Sequence, residues 1–259
     1  MPLPALRPLS IGEILDVAFN LYRRLFGPLV TVALVCTGIP LLLNVYLTTA
    51  GGSMANIPVF VLYLIASVVL SSIATAATVF IVSDSYLGRT RSAADAFRLA
   101  TPFVGRLFVL SLLTGLVIGL GVILLIVPGI ILACGLLIGT VALVIEGLPS
   151  ATDAMGRAWA LTRGFRGKMF GLLLTMGLII YIPAIALGTL AAIFLPKQAA
   201  VNAAANINTL GVVIVVVTGL VQMLVYPLFY TTLTVAYYDL RVRKEGFDLE
   251  VLAGALQAA

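Results

Sequence analysis

Four polar residues recur at every fourth position in the stretch VQMLVYPLFYTTLTVAYYDLRVRKEG: Gln222, Tyr226, Tyr230 and Thr234. Residues four apart share a helix face, so an amide, two phenols and a hydroxyl fall in one stripe. Pro227 has no N–H to donate, which leaves the carbonyl of Met223 a free acceptor nearby. Such a stripe either lines a polar cavity or lipid-headgroup groove, or it hydrogen-bonds one helix to another around a kink. The second use is the ordinary glue between membrane helices. Other chemistry is scarce. The chain has no His, which removes the usual proton shuttle and the commonest metal ligand. No Ser-His or Cys-His pair can form, and there is no glycine-rich phosphate loop. Cys36 and Cys134 both lie in apolar runs and read as small hydrophobes rather than a disulfide or metal pair. The expectation is a non-enzymatic protein without metal or cofactor.

The charged residues point to position rather than reaction. Nearly all the Lys and Arg residues fall into four clusters: Arg7, Arg23 and Arg24; Arg89, Arg91, Arg98 and Arg106; Arg157, Arg163, Arg166 and Lys168; Arg241, Arg243 and Lys244. Lys197 stands apart. Arg23, Arg24, Arg89, Arg91, Arg157, Arg163, Arg166, Arg241 and Arg243 are candidate contacts for lipid headgroups, because basic residues beside a membrane attract anionic lipid. Three acids, Asp84, Glu146 and Asp239, lie beside arginines and are expected to form ion pairs there.

The elements that hold these residues follow from composition. Of 259 residues, 62% are hydrophobic and 10% charged, against about 25% charged in a soluble chain. Mean hydropathy is +1.19. So few charges cannot cover a water-facing surface, and a bilayer is the natural solvent. Six segments reach the length of about 20 apolar residues that a crossing needs, near 27–48, 58–83, 106–127, 129–146, 168–195 and 209–239. The third and fourth meet at Val127–Pro128–Gly129, which predicts a tight hairpin. With six crossings and a cytoplasmic N-terminus, all four basic clusters fall on one side and Lys197 alone on the other. Short Lys/Arg-rich loops stay cytoplasmic, so both termini are expected inside. This accounts for the net charge of +5 without nucleic acid. The N-terminal MPLPALRPLS shows no signal-peptide core. Residues 1–246 read as one membrane domain and 247–259 as a short cytoplasmic tail. The dominance of Arg over Lys, with abundant Ala, Gly, Val and Leu, fits a GC-rich bacterial source and hence a bacterial cytoplasmic membrane.

An internal repeat organises the spans. Ser10 with Glu13, Ser92 with Asp95 and Ser150 with Asp153 each place an acid three residues after a serine, the pattern of a helix N-cap. The serine accepts a first-turn N–H, and the acid bonds back, better for Glu than for Asp. Each opens a short amphipathic segment ending in Arg or Lys. In the first, Ile11, Ile14, Leu15, Ala18, Tyr22 and Leu25 share a face. Each then feeds a span with a later proline (Pro40, Pro128, Pro183), and each return span ends near one of the three acids. The fold expected is an all-α integral membrane protein: six transmembrane helices as three repeats of an interfacial amphipathic helix plus a hairpin. The amphipathic helices are expected in the membrane plane, apolar face toward lipid, with Trp159, Tyr237 and Tyr238 in the interfacial aromatic belt. Gly115-x-x-x-Gly119 and Gly135-x-x-x-Gly139 are expected to pack helices closely.

RPLSIGEILDVAFNLYRRLFG, VPGIIL, EGLPSATDAMGRAWALTRG and YYDLRVRKEGFDLE, in that order, resemble the bacterial glycerophosphoryl diester phosphodiesterase membrane-domain family. The resemblance spans nearly the whole chain. It implies a stand-alone membrane domain. The phosphodiesterase barrel found fused to such domains uses histidines and metal-binding carboxylates, and this chain has neither the His nor the length for it. The function expected is a lipid-associated scaffold or partner-binding module, with anionic lipids and a membrane or cytoplasmic protein as partners. The alternative is a transporter or flippase-like protein for an amphiphile, and a membrane enzyme comes last.

Overall fold

Three serines start three short helices. In a computed structural model, which describes residues 7–50, 56–194, 207–247 and 249, Ser10 caps α1 (Ile11–Arg24). Its hydroxyl accepts from the Glu13 N–H at 3.3 Å, and its own N–H donates to Glu13 Oε2 at 2.7 Å. That reciprocal pair satisfies two of the donors a helix start leaves open. Ser92 caps α4 (Ala93–Ala100) and Ser150 caps α8 (Ala151–Thr162), accepting from Asp95 and Asp153 N–H at 3.2 and 3.1 Å. One methylene shorter than Glu13, these two aspartates turn to the serine hydroxyl, at 2.6 and 2.5 Å.

The long helices come between. α2 (Phe26–Thr49) continues from α1 with one residue between them, and α3 (Ile57–Tyr86) returns. A short 3₁₀ turn, Thr101–Phe103, leads from α4 into α5 (Val104–Leu124). α6 (Ile126–Leu136) and α7 (Gly139–Glu146) share one return path. α9 (Arg166–Phe194) and α10 (Ile207–Glu245) follow. Among the described residues all regular structure is helical. Five stretches are long and apolar enough to cross a membrane: Phe26–Thr49, Ile57–Tyr86, Ala93–Leu124, Ile126–Glu146 and Gly211–Glu245. These mark a membrane protein. The segment expected at 168–195 falls on the 29-residue α9. Lys197 and most of the expected 247–259 tail lie outside the described residues.

The α5–α6 hairpin turns two residues earlier than Val127–Pro128–Gly129. The break is Leu125, in extended conformation (φ −162°, ψ 138°). Pro128 then sits in the first turn of α6, where a missing N–H removes no helical bond. The two arms touch backbone to backbone. A Cβ on Gly129 would meet Val122 N at 2.7 Å, and one on Gly121 would meet Gly129 Cα at 3.0 Å. The path breaks again between α6 and α7. There the Thr162 hydroxyl, 2.8 Å from the Ala158 carbonyl of its own helix, also comes within 3.2 Å of the Gly135 carbonyl, in the last turn of α6 where carbonyls run out of helical partners. Gly147 (φ +62°) ends α7, letting Leu148 N–H close back onto Leu143 O at 3.2 Å.

The packed core lies at one end. It draws on the last half of α3 (Ala74–Tyr86), on α7, on the last turns of α10, and on the apolar faces of α1, α4 and α8. Towards the other end the helices present large apolar side chains outward, with Leu42 71% and Ile123 81% exposed, as lipid-facing surfaces do.

Two expectations are corrected here. The apolar faces of the short helices do not face lipid: Ile14, Ala18, Ala96, Ala100, Ala154, Ala158 and Leu161 are all buried in the chain's own core. Burial against the bundle removes the same apolar area from water as burial in lipid, so amphipathicity alone cannot separate the two. Tyr237 and Tyr238 are likewise core residues rather than belt, at 0% and 1% exposed. Their hydroxyls find buried partners, as buried tyrosines require. Tyr237 donates to Glu146 at 2.7 Å, and Tyr238 shares a hydrogen bond with Ser83 at 2.6 Å while stacking on Tyr86.

Candidate functional site

The three acids that end the return spans each grip the segment that follows, and the last one grips the first. Asp84, near the end of α3, pairs with Arg91, the residue before the α4 cap. Glu146, the last residue of α7, accepts from Arg157 of α8 at 2.8 Å. Asp239 of α10 accepts the N–H of Leu9, the residue before the α1 cap, at 2.7 Å. The expected ion pairs therefore form, and they close a ring around the basic end of the bundle.

Two points on the ring are denser than the sequence implies. Arg157 also reaches Glu245 at the end of α10, with contacts at 2.5 and 2.8 Å, so one guanidinium ties α7, α8 and α10 together. These bonds, to Glu245 first, raise the Arg157 pKa further above its usual value. At the other point Asp239, its side chain 1% exposed, lies between Lys168 of α9 and Arg243. Lys168 Nζ and Arg243 Nη2 both donate to the Leu9 carbonyl, at 2.5 and 2.7 Å. Glu245 and the Leu9 peptide were not singled out from the sequence. The i,i+4 spacing of Arg241 and Glu245, observed at 2.9 Å, was a readable signal for the first. A backbone partner leaves none.

The nine candidate headgroup residues divide. Arg91, Arg157 and Arg243 are held by carboxylates. Arg166 lies over the Trp159 ring at 3.6 Å, and Arg241 lies over Phe247 at 4.3 Å and pairs with Glu245. Gly135 packs against the same Trp159 ring, where a Cβ would come within 2.6 Å, and a Cβ on Gly139 would lie 3.3 Å from the Ala154 carbonyl. Arg23, Arg24, Arg89 and Arg163 are exposed. They stand at the end of α1, ahead of α4 and just past α8, so each short helix carries at least one at its border.

The polar stripe on α10 is graded. Gln222 is exposed, Tyr226 and Tyr230 are half-buried, and Thr234 is fully buried. Tyr226 shares a 2.6 Å hydrogen bond with Thr75 of α3 and lies tilted against the Tyr230 ring at 4.8 Å. Thr234 donates back to the Tyr230 carbonyl at 2.7 Å. Beside the stripe, Tyr22 of α1 donates to the Leu224 carbonyl at 3.0 Å. The stripe thus stitches α10 to α3, with Gln222 left facing outward. Among the described residues, no atom comes within 4 Å of a would-be Cβ on Gly115 or Gly119. They floor a shallow outer groove with Ser111 and Leu116. Cys36 and Cys134 are buried free thiols. Among the described residues, no group of three His, Cys, Asp or Glu side chains could hold a metal ion.

Fold and site together define an all-helical membrane protein whose described charged groups are concentrated at one end. Compared with protein-family models, with curated proteins and with solved structures, the chain finds no match in any of the three.

Proposed function

We propose that the protein is a non-enzymatic, lipid-associated scaffold or partner-binding module of the bacterial cytoplasmic membrane. It crosses six times, as three repeats of short helix plus hairpin, with both termini cytoplasmic. The reading is supported above all by the four exposed arginines, Arg23, Arg24, Arg89 and Arg163, spread over the borders of all three short helices. Their exposed side chains stand at the end where Arg91, Arg157 and Arg243 pair with carboxylates of the bundle. An anionic headgroup layer complements that arrangement. The cap-and-acid repetition and the resemblance to the glycerophosphoryl diester phosphodiesterase membrane-domain family support the layout. The transporter reading keeps less support, since three of its four stripe residues are engaged within the bundle and only Gln222 faces outward.

The test is lipid retention. Purified protein carrying Arg23→Gln, Arg24→Gln, Arg89→Gln and Arg163→Gln together should hold less phosphatidylglycerol by mass spectrometry than the unsubstituted chain. Its binding of phosphatidylcholine should not change. Equal retention of phosphatidylglycerol would remove the basis for the lipid reading.

A further inference from the structure

We propose that Lys168, Arg243 and Asp239 form a binding site for the oxyanion of a phosphate-bearing headgroup, and that residues 7–10 are a strap occupying it. The inference rests on the lipid-associated reading above and gives it one defined site. Two cations converge there on a single buried carboxylate. Asp239 neutralises one of them. Apart from the more distant Glu13 carboxylate, the remaining positive charge is turned on a neutral oxygen, the Leu9 carbonyl, which takes a bond from Lys168 at 2.5 Å and from Arg243 at 2.7 Å. An oxyanion is the stronger acceptor in such a place, because bonds between ionised partners are roughly twice as strong as neutral ones. The donors are already aimed. Arg243 Nε lies 3.1 Å from both Asp239 oxygens, which fixes its guanidinium whether or not Leu9 is present. Asp239, almost wholly buried, gains the Leu9 N–H only when the strap is down. At its far end the strap is joined to α1 by the Ser10–Glu13 capping box. Its outer tie is Arg7 to Glu13 at 2.5 Å, a surface pair with both side chains well exposed, and such pairs hold little. The site opens at the start of α9 and the end of α10, the basic end that also carries the four exposed arginines.

The strap can be read directly. Leu9→Cys keeps every backbone bond and places a thiol that is buried while the strap is down. Cys36 and Cys134 are buried, and the unsubstituted chain gives their background. In full-length protein in nanodiscs, alkylation of this thiol by a charged maleimide should run several-fold faster with phosphatidylglycerol than with phosphatidylcholine alone. Inorganic phosphate added to the phosphatidylcholine sample separates the sources: acceleration there assigns the site to soluble phosphate, still as an oxyanion site. Equal rates in all three conditions overturn the proposal. Adding Arg243→Gln should abolish the acceleration, and an unchanged acceleration overturns the assignment to these residues. The fourfold arginine variant should leave the strap response intact, so loss of general lipid retention and loss of this site are read separately.

Discussion

Arg157 is the point of the ring where one cation reaches two carboxylates. One planar guanidinium reaches Glu146 and Glu245 at once, while Tyr237 donates to the first of them. Fork geometry of this kind is what Arg offers and Lys cannot. Removing it leaves two carboxylates facing each other with fewer donors, and an unsatisfied, partly buried charged group costs about 1–3 kcal/mol. Arg157→Ala should therefore lower stability by about that amount in a detergent unfolding titration, and Arg157→Lys should recover only part. A second expectation concerns acid. The Ser10 N–H and Arg7 hold the Glu13 carboxyl down to about 2, from an ordinary 4.5. A group whose folded pKa is depressed contributes fully above its unfolded value and loses that contribution as pH falls toward the folded one. Melting of the intact protein should thus drop between about pH 4.5 and 2, and Glu13→Gln should flatten that part of the profile. A profile of unchanged shape in the variant would remove the capping box from the account.

At the scale of elements, the two glycine pairs make opposite predictions. Gly129 faces the Val122 backbone, which cannot move aside as a side chain can. Gly129→Val should cost about 1–3 kcal/mol, the usual range for overpacking a tight contact, and should loosen the α5–α6 hairpin to proteolysis. Gly115 meets nothing, so Gly115→Ala should be neutral or slightly stabilising, alanine being the better helix former by about 1 kcal/mol. Unfolding titrations of both variants check the pair. The same elements show what was legible beforehand. The three caps could be read because Ser10, Ser92 and Ser150 act within one turn of their acids, and local spacing is visible in a sequence. The apolar lengths of α2, α3 and α10 could be read because hydropathy is a property of the segment. The α5–α6 break could not be placed, since Leu125 carries no turn signal and the close approach of Gly121 to Gly129 is what fixes it. Nor could the partner of each short helix's apolar face, because lipid and protein core select the same residues.

For the whole molecule, the caps, the acids and the packed core all gather at the basic end. If that end is cytoplasmic, a cysteine at Arg89 should resist a membrane-impermeant reagent in intact cells, and one at Asn56, at the start of α3 on the opposite side, should react. The reverse pattern would invert the orientation proposed here. The polar stripe belongs to this scale too. Its membership and its use between helices were readable from spacing, but its partner was not, because Tyr226 finds Thr75 some 151 residues away.

With most of its buried core gathered toward one rim, the bundle resembles a shuttlecock, corked at the base and feathered above. Bilayers differ in thickness and in lateral pressure, and a membrane protein answers such changes where its own cohesion is weakest. Here the feathers should spread or gather while the cork keeps its shape. Whatever docks on the basic rim would meet the same geometry in thick and thin membranes alike.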